Sequence, residues 1–118
     1  MDKIEKYQQI IMAALQRHAD IRNNNRHPKQ AFVETQLLFD TKHNHFMLMS
    51  IGWNAETSKF IYGVAFHIDI KDGKVWVQQD NTDAIIVDDL LEGGILQSDI
   101  VLGFLSPYMR QFSDFATV

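Results

Sequence analysis

His67 and Asp69 stand two residues apart in a run of alternating character, so both side chains leave one face of an extended chain. An imidazole and a carboxylate placed this way are able to share a proton or hold a metal ion. Asp72-Gly73 has the residues of a two-residue type I′ hairpin turn. Closing that turn pairs Lys71 with Lys74, Ile70 with Val75, Asp69 with Trp76, Ile68 with Val77 and His67 with Gln78. His67, Asp69, Trp76 and Gln78 then share the face opposite Ile68, Ile70, Val75 and Val77. Trp and Gln are not ordinary metal ligands, so the four read as a polar and aromatic contact patch, with no catalytic residue, metal or cofactor assigned. A metal-dependent hydrolase built on His67 and Asp69 is the alternative. His43 and His45 repeat the spacing beside a turn, where solvated side chains are the simpler reading.

Two charged groups stand apart from this patch. Asp80, Asp83, Asp88, Asp89 and Glu92 gather around one short helical segment. Asp83 suits a helix N-terminus and Asp88, Asp89 and Glu92 a solvated face, so the acids suggest a surface for a basic partner more than a cation-dependent nuclease. Arg17, Arg22, Arg26 and Lys29, with His18 and His27 among them, form a basic stretch. Positions 1–79 carry 10 basic and 8 acidic side chains, and positions 80–118 carry one and seven. With a net charge of −4, four exposed cations supply weak, salt-sensitive DNA contact at best.

The elements that must position these groups follow from periodicity. Ile4, Tyr7, Ile10, Ile11, Ala14, Leu15 and Ala19 recur at helical spacing and predict an amphipathic helix from Asp2 to about Asp20. Ile21 to Gln30 reads as a loop. Phe32–Asp40 and His45–Trp53 read as a hairpin, and Phe60 to Gln79 as a second one. Asn81 or Thr82 is placed to cap a second helix from about Asp83 to Glu92, with Gly93-Gly94 ending it. Its buried face is predicted as Ile86, Leu90 and Leu91, with Ala84 and Val87 near the edge. Ile100 to Phe104 is a short apolar run, and Ser106-Pro107 opens a short helix through about Phe112. The expectation is one α+β domain spanning 1–118: an antiparallel sheet of about four strands, two helices packed on it, and a tail covering an edge or the other face.

Composition narrows the function classes. The 118 residues contain no cysteine, which excludes disulfides, thiolate metal sites and a Cys nucleophile. No apolar run reaches the length of a membrane span, and Met1 to Lys6 has no secretory signal character, so a cytoplasmic location away from membranes is expected. There is no nucleophile elbow, phosphate-binding loop or dinucleotide fingerprint.

His67-Ile68-Asp69-Ile70, Asp72 to Gln78, and Ser98-Asp99-Ile100-Val101-Leu102-Gly103-Phe104 together resemble the fdxN-element excision controlling factor family, XisI. The opening Met1 to Tyr7, the Leu48 to Trp53 strand and the Arg110 to Phe115 segment extend the resemblance nearly end to end. It implies an accessory factor for site-specific excision of a DNA element during cell differentiation in heterocyst-forming cyanobacteria. The implied route is protein contact with an XisH-like partner, which resembles restriction-type nucleases, and with a site-specific recombinase, so that DNA is reached indirectly. The expected contact surface is His67, Asp69, Trp76 and Gln78 together with Asp88, Asp89 and Glu92. A homo-oligomer is also compatible with the resemblance, and direct DNA binding through Arg17, Arg22, Arg26 and Lys29 is the second alternative.

Overall fold

The computed structural model describes residues 1–81 and 85–118. Asp2 caps the first helix, its carboxylate accepting from the Glu5 amide at 2.8 Å, and α1 runs Lys3–Asn24. Tyr7, Ile11, Ala14, Leu15 and Ala19 are buried, as the helical spacing predicts. The helix outlasts its predicted end near Asp20, because nothing from Ile21 to Asn24 breaks it. Asn25 closes it, with both its backbone and side-chain amides donating to the Ile21 carbonyl. Pro28 then starts a single 3-10 turn, Pro28–Gln30, within the expected loop.

Strands β1 (Phe32–Asp40), β2 (His45–Trp53), β3 (Phe60–Lys71), β4 (Lys74–Asp80) and β5 (Ile100–Leu102) lie in that order in one sheet. The sheet has five strands where about four were expected, and it is mixed, because β5 joins β4 in parallel while the other pairs are antiparallel. The apolar run at Ile100 therefore extends the sheet edge. Asp72 and Gly73 adopt φ of 52° and 76°, as the type I′ turn between β3 and β4 requires.

One face of the sheet packs on α1. Phe46, Leu48, Phe66, Ile68, Val75 and Val77 are fully buried there with Ile11 and Leu15. Helix α2 (Ile86–Gly93) joins the same layer, burying Ile86, Val87 and Leu90, with Leu91 partly buried. Val87 belongs to the core and not to the edge. Residue Ile85 occupies the N-cap without a side-chain cap, and the Ile86 amide donates instead to the Asp80 carboxylate at 3.3 Å. Thr82, Asp83 and Ala84, to which a cap, a first-turn acid and an edge position were assigned, lie outside the described residues. The last helix, α3 (Pro107–Arg110), is capped by Ser106 as expected but ends before Phe112.

The contact between the two helices is close at Gly93, where a Cβ would stand 2.5 Å from Ile10 Cγ2. Gly93→Ala is therefore expected to lower stability by about 1–3 kcal/mol, read as a fall in the urea midpoint with unchanged slope. An unchanged midpoint would show that α2 shifts freely on α1.

Candidate functional site

Helices α1 and α2 cover one face of the sheet, and the other face carries the polar residues singled out by spacing. Two β-bulges shape it. Between β2 and β3 the register shifts by one at Ala65, so that Leu48 pairs with Phe66 while Met49 pairs with Val64. Between β3 and β4 it shifts again at Gln78, so that Ile68 pairs with Val77 while His67 pairs with Gln79. The expected pairing of His67 with Gln78 is thus displaced by one residue, although the four pairs nearer the turn form as expected. A bulge re-aims side chains, and here one falls on either side of His67.

The result is a compact cluster around Asp69, whose side chain is only 11% exposed. Asp69 Oδ1 lies 2.8 Å from His45 Nδ1 and 2.9 Å from His67 Nε2. Its Oδ2 accepts from Gln78 Nε2 at 3.2 Å. Burial by itself would raise the Asp69 carboxyl, but the hydrogen bond to His45, the charge and hydrogen bond of His67 and the Gln78 amide outweigh it. They hold the group below the usual carboxylate range. His45 enters this cluster from β2 and was not paired with Asp69 by sequence. Its apparent partner His43 instead meets Asp40 Oδ2 at 2.8 Å. Trp76 lies beside the cluster, its ring 4.0 Å from Lys71 Nζ and 4.9 Å from the Arg110 guanidinium of the tail.

The other end of this face is aromatic. Phe32, Trp53 and Phe60 are direct partners across β1, β2 and β3. Tyr62 lies two residues further along β3. Trp53 and Phe60 approach at 4.8 Å, Phe60 and Tyr62 stack at 6.3 Å, and the four residues remain 49–69% exposed. Spacing alone did not expose this row, because it depends on three strands being in register.

The predicted acidic residues lie elsewhere. Asp88 and Glu92 are exposed on α2, on the helical side of the sheet. Asp89 is taken up within the molecule, meeting His18 Nε2 at 2.6 Å. The expected single surface of His67, Asp69, Trp76 and Gln78 with Asp88, Asp89 and Glu92 is accordingly split between opposite sides of the sheet. The four cations of the basic stretch differ in their surroundings, although Arg22 and Arg26 line one cleft. Arg17 is exposed on α1, Arg26 bonds Asn23 at 2.8 Å, and Lys29 pairs with Glu56 at 3.2 Å. Arg22 turns inward to Ser50 Oγ at 3.4 Å, beside an open cleft of about 330 Å³, and burial lowers its pKa.

The family model described as XisI protein matches residues 1–117. The chain belongs to the XisI family. Two solved structures from Anabaena variabilis ATCC 29413 share its fold. One is the fdxN element excision controlling factor XisI, 29% identical, covering 99% of this chain and 100% of its own, with a TM-score of 0.80. The other is a XisI-like protein, 36% identical, covering 98% and 99%, with a TM-score of 0.84. No curated protein matches the sequence. No helix among the described residues is long and apolar enough to cross a membrane.

Proposed function

We propose that this XisI-family chain is an accessory factor in the control of DNA-element excision, and that it works by docking an XisH-like protein on the sheet face opposite α1. The observation that carries the docking surface is the exposed row Phe32–Trp53–Phe60 with Tyr62, which α1 and α2 leave uncovered. Large rigid aromatics lose little side-chain entropy on binding and dominate contact energies. The acid-rich α2 face becomes a secondary surface, since Asp89 is already paired with His18. Direct DNA binding has less support. Arg22 turns inward to Ser50 and Lys29 is paired with Glu56, which leaves Arg17 and Arg26, of the four cations in the basic stretch, without an acidic or buried partner among the described residues.

The reading is tested by co-expressing the chain with a tagged XisH-like protein. Trp53→Ala and Phe60→Ala are each expected to reduce recovery at least tenfold, whereas the α2 double variant Asp88→Ala/Glu92→Ala changes it little. Recovery lost only in the α2 variant would move the surface to the helical side. No association of the unaltered chain with the XisH-like protein would remove the reading.

A further inference from the structure

We propose that His45, His67 and Asp69 form a binding site for one divalent transition-metal ion of the zinc class. This is a property separate from partner docking. The three groups come from β2 and β3, and their ligand atoms all lie within 4.8 Å of one another. Asp69 Oδ1 stands 2.8 and 2.9 Å from the two imidazole nitrogens. Atoms bound side by side to one ion at about 2.0–2.1 Å are separated by about 2.9–3.4 Å, depending on coordination number. The two His–Asp distances therefore need only a small opening to admit an ion, while the two imidazole nitrogens, within 4.8 Å of each other, settle to the same ligand spacing around it.

The supporting groups fit the same purpose. Gln78 donates to Asp69 Oδ2, which leaves Oδ1 as the inward-facing oxygen and fixes the carboxylate plane. Gln78 is the extra residue of the β4 bulge and stays on the face it shares with Asp69, and the bulge at Ala65 is what brings His45 opposite Asp69. Without that extra residue, β2 would slip by one place against this half of β3 and His45 would face Ile68. Bulges concentrate beside binding sites, where they re-aim side chains.

Two imidazoles with one carboxylate select Zn²⁺, Co²⁺, Ni²⁺ or Fe²⁺ over Mg²⁺ and Ca²⁺, which require mostly oxygen. The ion takes the place of the two imidazole hydrogens now directed at Asp69, and each neutral ring then carries its hydrogen on its other nitrogen, His45 on Nε2 and His67 on Nδ1. Three protein ligands leave at least one position open. A hollow of about 450 Å³, with His45, Asp40, Leu38 and Met47 in its wall, adjoins the site and gives that position access to water or to an incoming ligand.

The test uses the full chain, stripped with chelator and dialysed, and titrated with Zn²⁺ by calorimetry and with Co²⁺ by visible absorption. One equivalent is expected, with ligand-field bands from Co²⁺. His45→Ala and His67→Ala should each weaken binding by tenfold or more, and Gln78→Ala by about tenfold. His43→Ala and His27→Ala should leave it unchanged. His45 is 55% exposed at its side chain, so its variant reports on the ion even if His67→Ala fails to fold. Binding that is absent from the unaltered chain, or that survives unchanged in His45→Ala, overturns the proposal. Loss of partner recovery without loss of Zn²⁺ binding bears only on the docking surface.

Discussion

Tyr7→Phe is expected to lower stability by about 2–3 kcal/mol at neutral pH, although it removes a single oxygen from a side chain that stays the same shape. The Tyr7 hydroxyl donates to Asp99 Oδ2 at 2.6 Å and accepts from the Leu96 amide at 3.4 Å. It therefore joins α1 to the turn that delivers β5 to the sheet, across a sequence separation of 92 residues. Asp99 is one of two buried charged or polar residues among those described, and Lys3 Nζ at 3.0 Å is its other close partner. With phenylalanine at position 7, the carboxylate keeps the lysine but loses its buried donor, and desolvation is no longer offset. The phenol itself is a dependable donor. Burial and the Asp99 carboxylate raise its pKa, so it stays protonated at neutral pH.

The same contact sets a pH window. Burial works to raise the Asp99 carboxyl, but the Tyr7 hydrogen bond and the Lys3 ammonium prevail and hold it below its usual value. A depressed carboxylate contributes its stability above the unfolded pKa of about 3.9 and loses it as pH falls through the folded value. The gap between Tyr7→Phe and the unaltered chain should thus be widest above about pH 5 and narrow as pH falls below about 4. Urea unfolding at a series of pH values measures it. A gap that stays constant into acid would show that the hydroxyl acts by packing alone and that Asp99 is not its partner in stability.

What the sequence made legible was what local chemistry controls. Asp72-Gly73 dictates its own turn, and four cross-strand pairs follow from it without further information. The stripe from Tyr7 to Ala19 needs only helical periodicity. The fifth strand was hidden because Ile100–Leu102 has three residues and pairs in parallel with a strand from which α2 separates it, so no turn announces it. The cluster at Asp69 was half legible. His67, Asp69 and Gln78 meet on the face that alternation assigns them, but His45 arrives through a bulge, and a bulge is an extra residue that alternation alone does not mark. The β2–β3 register also closes through Asn54 to Lys59, whose turn is held by the Asn54 side chain accepting from the Glu56 and Thr57 amides, both at 2.9 Å. A loop of that kind fixes register only once it is folded.

Gly52→Ala is the substitution expected to be most costly, and it separates the two ends of the uncovered sheet face. Gly52 has φ of 150°, and a Cβ there would lie 2.0 Å from the Phe32 carbonyl oxygen and 2.8 Å from Val33 Cα. Both obstacles are backbone of the edge strand, so no side-chain rotation relieves them. Either Gly52 leaves its conformation or the start of β1 lifts from β2. Backbone strain of about 1–3 kcal/mol, together with exposure of Val33, which is now only 7% exposed, gives an expected loss of about 3–5 kcal/mol. Hydrogen exchange should show the opening at the Phe32 end of β1, and Phe32 then leaves its place beside Trp53. Recovery of the XisH-like protein should fall accordingly, even though Gly52 offers no side chain to a partner. The cluster at Asp69 lies at the far end of β2, about 25 Å away along the strand. Zn²⁺ binding should therefore persist in any Gly52→Ala protein that remains folded. Loss of partner recovery with ion binding retained ties docking to the aromatic row, whereas retention of both would show that the row does not need Phe32 if exchange at the start of β1 has risen, and that β1 accepts the methyl group if it has not.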